Sequence, residues 1–511
     1  MSTSSDDSGG TTTREQSRRS ALISGTGWQA VGQVAPLVVN LVLTPYIIAG
    51  LGLPLYGVFL LVSALQVFMS TFDGGIGPSA SRYFAILAGQ GDRAATTRLL
   101  VSLSGVVWAA SLVVCGAAFW FAPQIVGFFP ATDADPVGAV FLLRVLTVTL
   151  AVAQWRSLFA SVLWAQNSFV ITSVSALVGH VVYAVGLVVT IETGAGLHGI
   201  GWTLALQQVQ VTLFFIPPAL RHLTWSGVGF IGWRELVDFF AYAWKVQVSG
   251  MINAYGLQGD MLIVGKLRPD SLGFFGPGAT FAQQLRQVPY NAYVPMQSLI
   301  GRAVGEKGAA GAVADFVRVQ RLWVIAVTGW IAVGVPASYV GVNAWLDLGS
   351  SLPGAVAAIL LFGHLFWLLA VTPLIWCLCL GHSDAQLRYG LISLVLNVAL
   401  TIALVIPFGV IGTVVATTLS QWAATAYLTR VASRRIEASV PGPWREIPWA
   451  TALLAAVFSM LVVAAVDRLI GTVIPHGALG LLACGVAAAP AAAFYVARTV
   501  GIAPLRSLLR R

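Results

Sequence analysis

Charge is the first thing this sequence lacks. Asp, Glu, Lys and Arg together make up 9% of 511 residues, against roughly 25% in a soluble domain, which excludes a water-soluble globular chain. Cysteine is scarce too. Cys115, Cys377, Cys379 and Cys484 lie in apolar runs without C-x-x-C or His-linked spacing, so neither a disulfide framework nor a zinc site is indicated. No G-x-x-x-x-G-K-[ST] segment occurs, and with it goes the phosphate cradle of an ATP-driven pump. What is abundant is apolar surface, at 57% of residues. About fourteen bilayer crossings of roughly 20 residues would absorb it without a separate soluble core, so an all-α polytopic membrane protein is expected.

The first twenty residues are Ser, Thr, Gly and Asp rich and read as a disordered cytoplasmic tail. Ser17-Arg18-Arg19-Ser20 has the look of a twin-arginine export signal, but the apolar run at 21–48 is too long for one and precedes many more, so it is expected to remain as the first helix. Further spans are expected at 53–72, 95–121, 137–164, 169–191, 198–219, 241–265, 271–301, 319–342, 353–380, 386–406, 409–429, 448–470 and 474–497. With the N terminus inside, Arg82, Arg93, Arg98, Arg221, Arg234, Arg302, Lys307, Arg388, Arg430, Arg434, Arg445 and the terminal arginines are cytoplasmic. Lys266, Arg268 and Arg468 alone fall outside. This is the positive-inside asymmetry, and it requires an even number of spans. The net charge of +9 therefore reports membrane orientation, with both termini cytoplasmic, and no nucleic-acid partner is expected.

The halves resemble each other at an offset of about 211 to 220 residues. Gly50-Leu51-Gly52 leading to Tyr56-Gly57 is matched by Gly265-Lys266-Leu267 leading to Phe275-Gly276, and His198-Gly199-Ile200-Gly201 by Gly409-Val410-Ile411-Gly412. Two six-helix lobes of parallel orientation follow, at 21–225 and 226–435, with two added helices and a basic tail at 436–511. That is the plan of a transporter that rocks about an axis along the membrane normal.

Leu-Gly-x-x-x-Tyr-Gly at 51–57, Asp73-Gly74-Gly75-Ile76-Gly77 with Arg82, and Asp260-Met261-Leu262-Ile263-Val264-Gly265 followed by Gly273-Phe274-Phe275 resemble the polysaccharide-transporter (O-antigen-type flippase) branch of the multidrug, oligosaccharidyl-lipid and polysaccharide (MOP) exporter superfamily. The resemblance covers roughly residues 18–435. It implies lobes facing a central cavity, alternating access, a lateral opening beside spans one and eight, and translocation of an undecaprenyl-diphosphate-linked glycan from the inner to the outer leaflet of the cytoplasmic membrane.

Independently of that resemblance, polar groups at membrane depth mark protein-lined or water-filled paths. Lys245, Ser249, Asn253, Gly256 and Asp260 fall within about 80° of one another on span seven. Span eight carries Gln283, Arg286, Gln287, Tyr290, Asn291 and Gln297, broken by Pro289 and Pro295, which makes it the first choice of gate. Span one adds Gln33 and Asn40 around Pro36, and span four adds Arg144, Gln154 and Arg156. A cavity lined by Arg144, Arg156, Arg286 and Lys245 suits a diphosphate, because guanidinium groups pair with phosphate oxygens. The competing assignment leaves Arg144 and Arg156 snorkelling to opposite interfaces and Lys245 as an orientation charge. Asp73 and Arg82 read as structural, and His180 and His364 as packing groups.

The expected activity is flipping of a lipid-linked glycan, without a cofactor, coupled through Asp260 to a proton or sodium gradient. Membrane lipid, glycosyltransferases and a polysaccharide polymerase are the expected partners. A multidrug or cation antiporter and a peptidoglycan-precursor flippase share the architecture. A membrane glycosyltransferase or polymerase is disfavoured because the outer loops are short, the longest offering only Asp133 and Asp135 as carboxylates.

Overall fold

The structure is a computed structural model and describes residues 8–71, 76–166, 168–224, 226, 228–434, 439–470 and 477–499. The side chains of residues 8–38, and those of Arg82, Lys245, Ser249 and Asn253, fall outside that description. Among the described residues there is no strand. The helices are α1 Ser8–Ser70, α2 Ile76–Gln90, α3 Arg93–Trp120, α4 Ala122–Gly127, α5 Pro136–Ala165, α6 Phe169–Glu192, α7 Gly196–Leu220, α8 Trp233–Leu267, α9 Leu272–Tyr290, α10 Tyr293–Leu346, α11 Leu352–Leu369, α12 Val371–Cys379, α13 Ser383–Arg434, α14 Trp449–Ile470, α15 Ala478–Ala487 and α16 Ala489–Thr499.

Local chemistry explains where the helices start and stop. Asp92 caps α3 by accepting from the Ala95 amide at 2.8 Å. Asp135 caps α5 through the Gly138 amide, with Pro136 in the first turn where no amide is needed. One of the two outer-loop carboxylates is thus a structural cap. Three long helices break at a glycine of positive φ: Gly52 at 81° in α1, Gly308 at 70° in α10 and Gly409 at 59° in α13. Side-chain-bearing residues avoid that region. The three breaks fall where the sequence separates one span from the next. Ten described segments are long and apolar enough to cross a membrane, so the chain is a multi-pass membrane protein.

By contacts the chain forms two units. The first comprises residues 1–55, 65–128 and 135–251, and the second 56–64, 129–134 and 252–511. The border falls inside α8, not in the loop before it. In the first unit α5 packs on α3 and α7, and α6 on α7, around Phe84, Leu103, Leu158, Leu163 and Phe239. In the second, α11 packs on α9, α10 and α13. Its contact with α13 involves the part after Gly409, since Thr418 and Thr425 donate to the carbonyls of Ile359 and Phe366. Span four against span six is thereby repeated as span ten against span twelve. Positive-φ glycines recur in step: Gly91 and Gly308, then Gly194 and Gly409, each pair about 215 residues apart.

The added helices belong to the second unit. Ser459 of α14 donates to the Val333 carbonyl at 3.0 Å and Tyr495 of α16 to that of Ile325 at 2.9 Å, both on α10. Arg268, expected outside on the charge pattern, donates to the carbonyls of Val405 and Ile406 at the end of the first half of α13. It thus neutralises a helix C terminus just before Pro407. The opposite requirement, contact with lipid, shows on α6, where Val181, Val185 and Val189 form an apolar row at i, i+4, i+8 and are each more than half exposed.

Close approach of α9 and α11 depends on Gly278, where a Cβ would stand 2.4 Å from the Pro353 carbonyl oxygen and 3.1 Å from Val356. Gly278→Ala is expected to cost about 1–3 kcal/mol through overpacking. A lower thermal midpoint in detergent would register it. Gly305→Ala serves as control: no atom lies within 4 Å of its Cβ position, and no loss is expected.

Candidate functional site

The second unit holds two polar clusters. The first centres on Arg286, about one turn before the end of α9 at Tyr290. α9 ends at Tyr290 and α10 starts at Tyr293, so the helix expected over 271–301 is interrupted where its prolines stand. Pro289 lies one residue before the α9 end, and Pro295 lies in the first turn of α10, where a missing amide is harmless.

Arg286 is only 8% exposed. Its guanidinium carbon lies 4.5 Å from the centroid of the Trp367 ring on α11. Tyr290 packs against the same indole, 4.7 Å between centroids, and stacks on Tyr293. The charge is therefore held by aromatic faces and not by a carboxylate. Its Nε has no hydrogen-bond partner. The rest of the stripe divides. Gln283 is partly buried, whereas Gln287 and Asn291 face outward and bond to each other at 3.4 Å.

The second cluster centres on Asp260 of α8. Thr417 Oγ1 donates to Asp260 Oδ2 at 2.5 Å and accepts from Asn397 Nδ2 at 2.9 Å. Asp260 Oδ1 and the hydroxyls of Thr401 and Thr413 are buried without partners. A carboxylate, the hydroxyls of Thr417 and Thr401 and an amide meet here, and among the described residues no Lys, Arg or His acts on the carboxylate. Such an oxygen-rich, cation-free setting can take a proton on the carboxylate or a hard monovalent ion among the oxygens. Asn397, Thr401, Thr413 and Thr417 carried no sequence signal, since threonines in apolar helices usually bond to their own backbone. Asn397, the one amide in the interior of the span at 386–406, was the available hint. Among the described residues no group of three His, Cys, Asp or Glu gathers as a metal site.

In the first unit, Arg144 donates Nε to the Phe119 carbonyl at 3.4 Å and lies 5.2 Å from the Phe119 ring centroid, at the C-terminal end of α3. Arg156 lies 5.0 Å from the Phe215 centroid with its Nε buried and unpartnered. Gln154 accepts from Ser111 Oγ at 3.0 Å, joining α5 to α3. Asn40 is partly buried and its carbonyl accepts from Thr44. The side chains of Gln33, Pro36, Lys245 and Asn253 lie outside the described residues, as do Asp73 and the Arg82 side chain.

No protein-family model and no curated protein sequence matches the chain. Solved structures do. A lipid II flippase MurJ in an inward closed conformation matches with a TM-score of 0.69 at 13% identity, over 94% of this chain and 99% of that one. An inward-facing multidrug resistance MATE family transporter of the MOP superfamily gives 0.64 at 15% identity, over 79% and 96%. The fold is that of the MOP exporters. A Vibrio cholerae MATE transporter, VcmN, extends the set at 0.57 and 14% identity, over 83% and 98%. The fold is thereby one that a lipid II flippase and multidrug transporters share.

Proposed function

We propose that the protein is a flippase for a polyprenyl-diphosphate-linked glycan, moving its cargo from the inner to the outer leaflet of the cytoplasmic membrane by alternating access. The observation that carries this reading is Arg286: a buried guanidinium without an acidic partner among the described residues, set against the Trp367 ring on which Tyr290 also packs. A site for cationic drugs would present the opposite charge at that place. A diphosphate supplies the missing counter-charge in the fork geometry that guanidinium matches, and aromatic faces suit sugar rings. Arg156, partly buried with its Nε unpartnered, adds basic character in the first unit. Fourteen crossings with both termini cytoplasmic complete the proposal, the breaks at Gly52, Gly308 and Gly409 supplying turns within three long helices.

Asp260 is assigned the coupling ion, a proton or sodium. The repeat gives this assignment a direction: pairing Gly50 with Gly265 sets Pro45, which has no carboxylate, opposite Asp260, so the ion would bind in the second unit. Differential ion binding by one lobe is what converts a gradient into a population shift.

Competition binding to the purified protein tests the cargo. Polyprenyl diphosphate carrying a short glycan is expected to displace a labelled analogue, and cationic dyes are expected not to. Displacement by the dyes alone would support a multidrug exporter instead.

A further inference from the structure

His364 lies three residues before Trp367 on α11, so the two side chains share a face, and its electrostatic partner is Arg286 of α9. It is 5% exposed, and neither Nδ1 nor Nε2 has a hydrogen-bond partner. An imidazole carries at least one N–H in every charge state it adopts in proteins. Buried polar atoms without partners are rare enough that each calls for a cause. Here three of them, Arg286 Nε and both nitrogens of His364, gather at one place, together with Tyr389 of α13, buried and within electrostatic range of the same guanidinium.

The groups around this spot come from every helix packed on α11. α9 brings Arg286 and Tyr290, and α13 brings Tyr389. From α10 the Trp323 indole donates to the Leu368 carbonyl of α11 at 2.8 Å. No carboxylate acts on Arg286 or His364 among the described residues. Arg286 Nε and the two His364 nitrogens thus gather without a hydrogen-bond partner among the described residues.

We propose that His364 and Tyr389 complete, with Arg286, a pocket inside the second unit for a single phosphate group, and that His364 enters it as a proton-carrying donor. This rests on the reading of Arg286 as the diphosphate anchor and adds a regulation to it. A charged imidazole beside a guanidinium is repelled, and a bound dianion removes that repulsion, so anion binding and proton uptake favour one another by linkage. Cargo would then be held more firmly on the more acidic side of the membrane.

Sulfate tests this, because it keeps both charges from pH 5.5 to 8 and leaves any pH dependence to the protein. Titration calorimetry of the full-length protein in detergent is expected to show at least fivefold tighter sulfate binding at pH 5.5 than at pH 8. In His364→Gln the two affinities should agree within twofold and match the wild type at pH 8, and Arg286→Gln should not bind at either pH. Equal wild-type affinities, or a His364→Gln variant that keeps the wild-type ratio, overturn the role of His364 while loss of binding in Arg286→Gln upholds the anchor. Binding unchanged in Arg286→Gln overturns the anchor itself. A measurement that needs no variant is the wild-type binding enthalpy near pH 6.5 in buffers of different ionisation enthalpy: proton uptake with sulfate is expected, and none contradicts the proposal.

Discussion

Arg286→Ala is expected to abolish glycan export while the protein inserts and folds. Paired hydrogen bonds to a charged phosphate contribute about 1.5–3 kcal/mol each, so losing two weakens cargo binding at least a hundredfold. The stability effect should have the other sign. Arg286 is a buried charge without an ionic partner, and such a charge favours unfolding. Its removal, offset by the lost contact with Trp367, should leave the thermal midpoint unchanged or raised, as at other sites where function and stability compete. Arg286→Lys keeps the charge without the fork and should export at an intermediate level. Export measured with surface-polymer staining, alongside the detergent midpoint, separates the roles. A variant that loses stability and export together would mark Arg286 as structural.

Asp260→Asn is the second large effect. The amide oxygen of asparagine can still accept from Thr417, so the contact between α8 and α13 survives and the folded protein should persist. What disappears is the charge that takes up a proton or sodium ion. Flipping in proteoliposomes under an imposed gradient should fall to the level seen without one, a loss of about 5- to 150-fold for a typical coupling of about 1–3 kcal/mol. Flipping without a gradient should be nearly unchanged. A variant that still answers to both proton and sodium gradients would remove Asp260 from the coupling path. Thr417→Val, which deletes the donor at 2.5 Å but keeps the carboxylate, should shift ion affinity without abolishing the response.

Much of the fold was legible because a bilayer demands long apolar runs, and this chain interrupts them with glycine or proline where the helices end. Gly52, Gly308 and Gly409 each stand at an expected span boundary and each adopts a conformation closed to other residues. Pro289 and Pro295 flagged the break between α9 and α10 for the same reason. Arg286 was legible through cost: a guanidinium in an apolar helix has to be accounted for. Asp260 was legible likewise, but its companions were not. Thr401, Thr413 and Thr417 resemble the other threonines that bond to their own helix, and only the approach of α13 to α8 turns them into a cluster. His364 shows the limit most plainly. On the sequence it is one histidine in an apolar span and reads as packing, and the fold gives it meaning by setting it beside Arg286 with both nitrogens unsatisfied. The offset repeat predicted parallel lobes, and the recurrence of Gly91 as Gly308 and Gly194 as Gly409 places the same turns in both. Its differences, Asp260 and Arg286 in the second half, are where the chemistry collects.

The central claim is that a basic, aromatic-walled site carries a polyprenyl diphosphate across the membrane. The direct measurement is reconstituted flipping of defined polyprenyl-diphosphate glycans in proteoliposomes, with leaflet location read by an impermeant glycan-cleaving enzyme. Protein-dependent flipping that stops in Arg286→Ala is the predicted result. Export of cationic dyes with no movement of the lipid-linked glycan would contradict it.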